Sequence, residues 1–174
     1  MPRLHLIVGP VGAGKSTFAR ALSRERRAIR LTLDEWMAVL FRPDRPAAGV
    51  LEWYGERTER CLEQIWRVAC SAIEAGTEVV LEIGLIQRRD RQRFYDRVDA
   101  SSHELTIYVL DAPRELRRER VAARNLDQGP TFSMVVPPQI FELASDLWQP
   151  LDADECDGRE VHFLDGAART TKIL

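Results

Sequence analysis

Apolar and polar positions along the chain follow two rhythms. Short apolar runs fall at residues 3–8, 28–33, 78–83, 104–110 and about 160–164. Each has the length and the continuity of a buried strand. Between them lie stretches with apolar residues at helical spacing, over 15–27, 35–41, about 51–75, about 88–99, about 112–125 and about 138–147. The clearest stripe is Cys61, Leu62, Ile65, Trp66, Ala69, Ala72 and Ile73, and Gly76 ends it. That spacing returns to one side of a helix every three or four residues. Residues 42–49, with Pro43, Pro46 and Gly49, break the periodicity and predict an exposed loop. Residues 126–138 predict a second, longer loop. Strands alternating with helices predict an α/β fold with a parallel sheet covered on both faces. Ligands in such sheets sit at the carboxyl ends of the strands. The strand ends at Gly9, Asp34, Gly84 and Asp111 are therefore the places to look.

Composition narrows the classes. A chain of 174 residues fits one domain, expected to span 1–174. Hydrophobic residues at 45% and charged residues at 30% exclude a disordered chain. The net charge of -2 gives no overall positive field for nucleic acid or anionic lipid. The apolar run at the N-terminus is too short for a signal sequence, and no run is long enough to span a membrane. Cys61, Cys70 and Cys156 show neither a CxxC pair nor zinc-ligand spacing. A cytoplasmic setting is expected. His5, His103 and His162 have no ligand partner at useful spacing and read as structural. The basic residues are 23 Arg and only 2 Lys, Lys15 and Lys172. A position that keeps lysine in such a chain is a candidate for needing a compact, mobile ammonium.

Lys15 lies in the strongest motif of the sequence. Gly9-Pro10-Val11-Gly12-Ala13-Gly14-Lys15-Ser16 matches GxxxxGK[ST] at every fixed position, between an apolar run and an amphipathic stretch. Glycines let successive backbone N–H groups curl toward phosphate oxygens, and the following helix adds the positive end of its dipole. In such a loop Gly9, Gly12, Ala13 and Gly14 cradle the phosphates, Lys15 reaches the β- and γ-phosphates, Ser16 ligates Mg²⁺ and Thr17 reaches toward the α-phosphate.

Elimination leaves a small class. The single asparagine, Asn125, rules out the NKxD guanine motif. No LSGGQ-like signature is present, and the absence of CxxC excludes a zinc-bearing lid. With its P-loop, the strand end Leu31-Thr32-Leu33-Asp34-Glu35, the run Val79-Val80-Leu81-Glu82 and the pair Arg120/Arg124, the chain resembles P-loop small-molecule kinases. Chloramphenicol phosphotransferase-like, zeta-toxin-like and AAA-domain kinases are the nearest types, and shikimate and gluconate kinases are further off. The resemblance implies a three-layer αβα fold with a five-stranded parallel sheet of order 2-3-1-4-5. It also implies a helical acceptor-binding insert at 35–76 and a lid at 125–138, and it gives ATP and Mg²⁺ as cofactors and a small hydroxylated molecule as acceptor.

The resemblance places at Asp34 the carboxylate that meets the acceptor's hydroxyl. Asp34 also suits the N-cap of a helix starting at 35. Glu82, after an apolar strand, suits a metal carboxylate. Whether Asp34 or Glu82 stands nearer the transferred proton is not set by the sequence. Arg117, Arg120 and Arg124 share one side of their helix, within about 60° at about 100° per residue. Arg120 and Arg124 match the lid pair that grips phosphates. Arg114 and Arg118 read as solvated, and Asp111 as the cap of this helix. One of Arg88, Arg89 and Arg91 is a candidate for an anionic acceptor, and all three read equally well as exposed surface arginines at a helix start. Trp36, Trp53 and Tyr54 suit either stacking on a substrate ring or packing of the insert.

The expected activity is transfer of the γ-phosphate of ATP to a small-molecule hydroxyl. A zeta-toxin-like kinase of a nucleotide-activated sugar, an ATP-hydrolysing switch and a polynucleotide 5′-kinase remain open at this level. The acceptor and the oligomeric state are not encoded in any motif.

Overall fold

The computed structural model describes residues 1–129 and 132–167. Pro130 and Thr131 of the expected lid, and Lys172, lie outside the described residues. Five strands form one sheet: β1 (Leu4–Val8), β2 (Ile29–Thr32), β3 (Val79–Glu82), β4 (Leu105–Asp111) and β5 (Glu160–Asp165). Their order is β2-β3-β1-β4-β5, and every pairing is parallel. The fold class and strand order read from the sequence are those observed.

Continuous apolar runs make β1 and β3 buried on both faces, as a doubly covered parallel sheet requires. On one face Ile7, Val80, Tyr108 and Leu110 pack with Phe18, Ala19 and Leu22 of helix α1 (Lys15–Arg26). On the other, Leu4, Leu6, Val8, Leu81, Ile107 and Val109 pack against two helices. These are α3 (Val50–Glu74), which brings Ile65, Ala69 and Ile73, and α4 (Arg88–Ser101), which brings Phe94 and Val98. The stripe read on 51–75 is thus the stripe that is buried. The remaining helices are α2 (Leu33–Leu40), α5 (Arg114–Asp127), α6 (Pro138–Asp146) and α7 (Ala153–Cys156), with a 3-10 turn at Arg42–Asp44.

Three boundaries differ from the sequence reading. Helix α2 begins at Leu33 rather than 35, so Asp34 lies in its first turn and not on the strand. Helix α5 runs to Asp127, so Leu126 and Asp127 are helical rather than loop. Asp111 ends β4 and accepts from the Ala112 N–H at 2.7 Å, whereas the N-cap position of α5 is Pro113. The short α7 has no counterpart in the reading, because four residues are too few for a periodic signal.

The histidines are structural. His5 is buried with its Nε2 3.0 Å from the Glu78 carboxylate, His103 lies beside Trp66, and His162 stacks on Tyr108. The three cysteines are free. No helix among the described residues is long and apolar enough to cross a membrane.

Candidate active site

The turn from β1 into α1 is built by close backbone approach. At Gly9 (φ 150°) a Cβ would stand 2.1 Å from the carbonyl oxygen of Leu110 on the neighbouring strand. At Gly12 (φ 80°) it would stand 2.6 Å from the carbonyl oxygen of Arg117 on α5. No side chain fits at either place, and glycine alone takes such φ values without strain. Gly14, at φ 96°, occupies the N-cap of α1.

The loop opens into a cleft of about 830 Å³ at the carboxyl ends of β1 and β3. Gly12, Ala13, Gly14, Lys15, Ser16 and Thr17 line its floor. Asp34, Glu82, Arg120 and Arg124 line it as well. The structure therefore brings together the P-loop residues, the two carboxylates and the lid pair read from the sequence. Gly9 is the exception, being buried behind the loop where it shapes the turn. The walls beyond Asp34 come from Gly84, Ile86, Met134, Val136, Ile140 and Ala144. Among the described lining residues none comes from 35–76.

Ser16 Oγ donates to Glu82 Oε1 at 2.5 Å, and Lys15 Nζ donates to the Pro10 carbonyl at 2.7 Å. Glu82 is the last residue of β3, and burial raises its carboxyl above the ordinary value against the pull of the Ser16 hydroxyl and of Lys15. Crowding also lowers Lys15, opposed first by Glu82 and then by Asp34. Asp34 lines the cleft, and its surface is open to the solvent that fills it. Its carboxyl is raised by the surrounding protein and held back by Lys15 and then Arg124. The N-cap position of α2 is Thr32, with no side-chain cap bond. Among the described residues none hydrogen-bonds to the Asp34 carboxylate, so the capping alternative does not apply to it.

Among the described residues no group of three or more His, Cys, Asp and Glu could hold a metal unaided. Ser16 and Glu82 instead suit Mg²⁺ carried in by phosphates, since this ion keeps several waters and takes few protein oxygens. Glu82 Oε2 is buried with no hydrogen-bond partner, a demand that a metal-bound water would meet.

The arginines of α5 divide by partner. Arg120 lines the cleft and donates to the Gly166 carbonyl at 2.7 Å. Arg124 lines it with a buried, unpartnered Nε. Arg117, on the same side of the helix, is a brace: it donates to the carbonyls of Ala112 (2.9 Å) and Val11 (3.0 Å) and to Ser145 Oγ (3.1 Å). Arg114 and Arg118 do not stand free but pair with Glu142 at 2.5 and 2.8 Å.

None of the candidates for an anionic acceptor after β3 lines the cleft, and Arg89 is exposed beside Asp90. Arg91 is fully buried in a two-pronged pair with Glu155, at 2.6 and 2.8 Å, and Arg88 pairs with Asp152. Trp36 and Tyr54 pack against the core, and Trp53 meets Tyr54 edge-to-face at 5.2 Å under the Arg57 guanidinium. None of the three aromatics lines the cleft.

Two residues of the site escaped the sequence reading. Asn125 closes the base of the loop by exchanging two hydrogen bonds with the Val136 backbone, at 2.8 and 3.0 Å. Arg30 lies behind Glu82, and its signal was available: a charged residue inside an otherwise apolar strand run.

Fold and site together define a P-loop domain with a three-layer αβα architecture. The family model described as an AAA domain matches residues 4–136, and the chain belongs to that family. Solved structures share the fold. A kinase candidate from Chloroflexus aurantiacus J-10-fl superposes with TM-score 0.71 at 20% identity, covering 94% of this chain and 85% of that one. A sugar kinase from Janibacter sp. HTCC2649 gives 0.65 at 16%, covering 95% and 86%. The Mycobacterium tuberculosis APS kinase in complex with AMPPNP and APS gives 0.61 at 16%, covering 96% and 90%. No curated protein matches the sequence.

Proposed function

We propose that the protein is an ATP- and Mg²⁺-dependent phosphotransferase that moves the γ-phosphoryl group to a hydroxyl of a small molecule. One observation carries this reading: the Asp34 carboxylate, free of hydrogen bonds to the described residues, shares a cleft with a complete P-loop. A carboxylate left uncommitted there can orient a hydroxyl nucleophile toward the γ-phosphate. Kinship of fold with sugar and APS kinases supports the same class.

In the transfer, the acceptor oxygen attacks the γ-phosphorus while the bond to the β–γ bridging oxygen breaks, releasing ADP. Lys15 leaves the Pro10 carbonyl to meet phosphate oxygens. Arg120 and Arg124 neutralise charge on the moving group, which has most effect in a cleft that excludes water. Asp34 orients the acceptor hydroxyl and takes its proton. A raised carboxyl is a better base near neutral pH than an ordinary aspartate of about 3.9. In a loose phosphoryl-transfer transition state, orientation is the larger service. Bound Mg²⁺ would supply charge neutralisation across the β- and γ-phosphates. On this chain Ser16 and Glu82 are the residues that would hold it. The segment 125–138 serves as the lid, anchored by Asn125, and 35–76 as the insert of a domain spanning 1–174.

ADP release measured across sugars, nucleosides and other hydroxylated compounds tests the reading. Stimulation by an acceptor, lost in Asp34→Asn, is the expected result. ADP release indifferent to every acceptor and to Asp34→Asn would contradict it.

A further inference from the structure

A charged network lies behind the carboxylate at the end of β3. Thr32 and Glu82 are register partners on adjacent parallel strands, and Arg30 stands two residues before Thr32, on the same face. The Arg30 guanidinium is mostly covered and forks three ways. Its Nη1 donates to Thr32 Oγ1 at 2.7 Å and lies 3.6 Å from Glu82 Oε2, and its Nη2 donates to Glu35 Oε1. Arg20 of α1 reaches the same Glu35 oxygen at 3.6 Å. Elements α1, β2 and α2 thereby meet at the Glu35 carboxylate, and Arg30 links them to Glu82 of β3.

We propose that Arg30 is a positioning residue for the metal carboxylate Glu82. The proposal rests on the reading that Ser16 and Glu82 serve a nucleotide-bound divalent cation. Glu82 has one oxygen engaged by Ser16, and the other is buried without a hydrogen bond. The planar guanidinium faces that second oxygen and limits rotation of the carboxylate, so Oε1 stays turned toward Ser16. An arginine is suited to this because its fork fixes direction as well as charge. The nearby positive charge would ordinarily repel a metal ion. Here Glu35 neutralises it by a direct hydrogen bond, so orientation outweighs repulsion. Partners of this kind, one step behind a ligand, typically tune metal affinity by about 10–100-fold.

Binding of Mn²⁺ in the presence of AMP-PNP, followed by electron paramagnetic resonance, tests the proposal on the full chain. Binding of a fluorescent mant-labelled ATP analogue in EDTA gives the metal-free reference. Arg30→Gln is expected to raise the half-saturating Mn²⁺ concentration about tenfold, with metal-free nucleotide affinity within about twofold of wild type. Arg30→Lys, which keeps charge but loses the fork, should fall between. If Arg30→Gln does not fold, Arg30→Lys and Glu35→Gln carry the same comparison. Unchanged Mn²⁺ binding overturns the proposal. So does tighter Mn²⁺ binding, since Arg30 would then act as a repulsive charge. Parallel loss of metal-free nucleotide binding overturns it as well, because the role would then be structural. Glu82→Gln separates the two layers. If it leaves Mn²⁺ binding intact, the metal reading of Glu82 fails. If it weakens binding while Arg30→Gln does not, only the positioning role fails.

Discussion

The Ser16 hydroxyl donates a 2.5 Å hydrogen bond to Oε1 of Glu82, joining the first turn of α1 to the last residue of β3. The bond sets two oxygens side by side at the mouth of the phosphate loop. Burial disfavours the charged form of Glu82, and a cation beside it would favour that form.

Glu82→Gln should therefore separate function from stability. The neutral amide removes a disfavoured buried charge, so the melting temperature should hold or rise. The gain in nucleotide affinity given by Mg²⁺ should fall about tenfold or more, while affinity in EDTA stays within about twofold. Thermal melts and nucleotide titrations with and without Mg²⁺ check both halves. A large drop in melting temperature with intact Mg²⁺ dependence would mean that Glu82 serves the fold.

Lys15 gives a prediction with a definite sign. Its ammonium is held below the ordinary lysine value by burial, and phosphate oxygens would restore the charged form. Nucleotide binding near pH 9 should then take up protons, seen by calorimetry in buffers of different ionisation enthalpy. Lys15→Arg should abolish the uptake, because arginine stays charged throughout. The same variant should lose phosphoryl transfer by about 100-fold or more. Equal proton uptake in both proteins would assign the titration to another group.

The Arg91–Glu155 pair fixes one wall of the cleft. Arg91 also donates to the Ile86 carbonyl at 3.1 Å, and the Gln149 N–H donates to the same oxygen at 3.0 Å. Removing one partner leaves the other buried and uncompensated. Glu155→Ala should cost about 3–5 kcal/mol in denaturant unfolding. The double replacement Arg91→Met with Glu155→Leu should recover most of that loss. If the single variant costs under about 1 kcal/mol, the pair behaves as a surface ion pair and does not hold the wall.

The legible part of this molecule is the part governed by local rules. Strand runs, the α3 stripe and the P-loop could be read because each needs particular residues at particular spacings. Gly9 and Gly12 are glycines because Leu110 and Arg117 backbones press against them. What could not be read depends on partners far away in sequence. Arg117 and Arg120 look alike on one helix, and only the Val11 carbonyl and Ser145 turn one of them into a buried brace. Arg91 reads as an exposed arginine in the sequence, because its partner, Glu155, lies on a helix too short to give a periodic signal. Asn125 binds backbone atoms of Val136, which no sequence motif marks. In the sequence Asp34 reads as a strand end because Leu33 continues the apolar run, whereas the helix begins at Leu33.

The central claim is that phosphate leaves ATP for a small-molecule hydroxyl and not for water. Phosphorus NMR of the reaction with MgATP and a mixture of small hydroxylated metabolites reads this directly. The account predicts a phosphate monoester growing in step with ADP, lost in Asp34→Asn and Lys15→Ala. Inorganic phosphate accumulating in equal amount to ADP, with no ester and no response to Asp34→Asn, would contradict it.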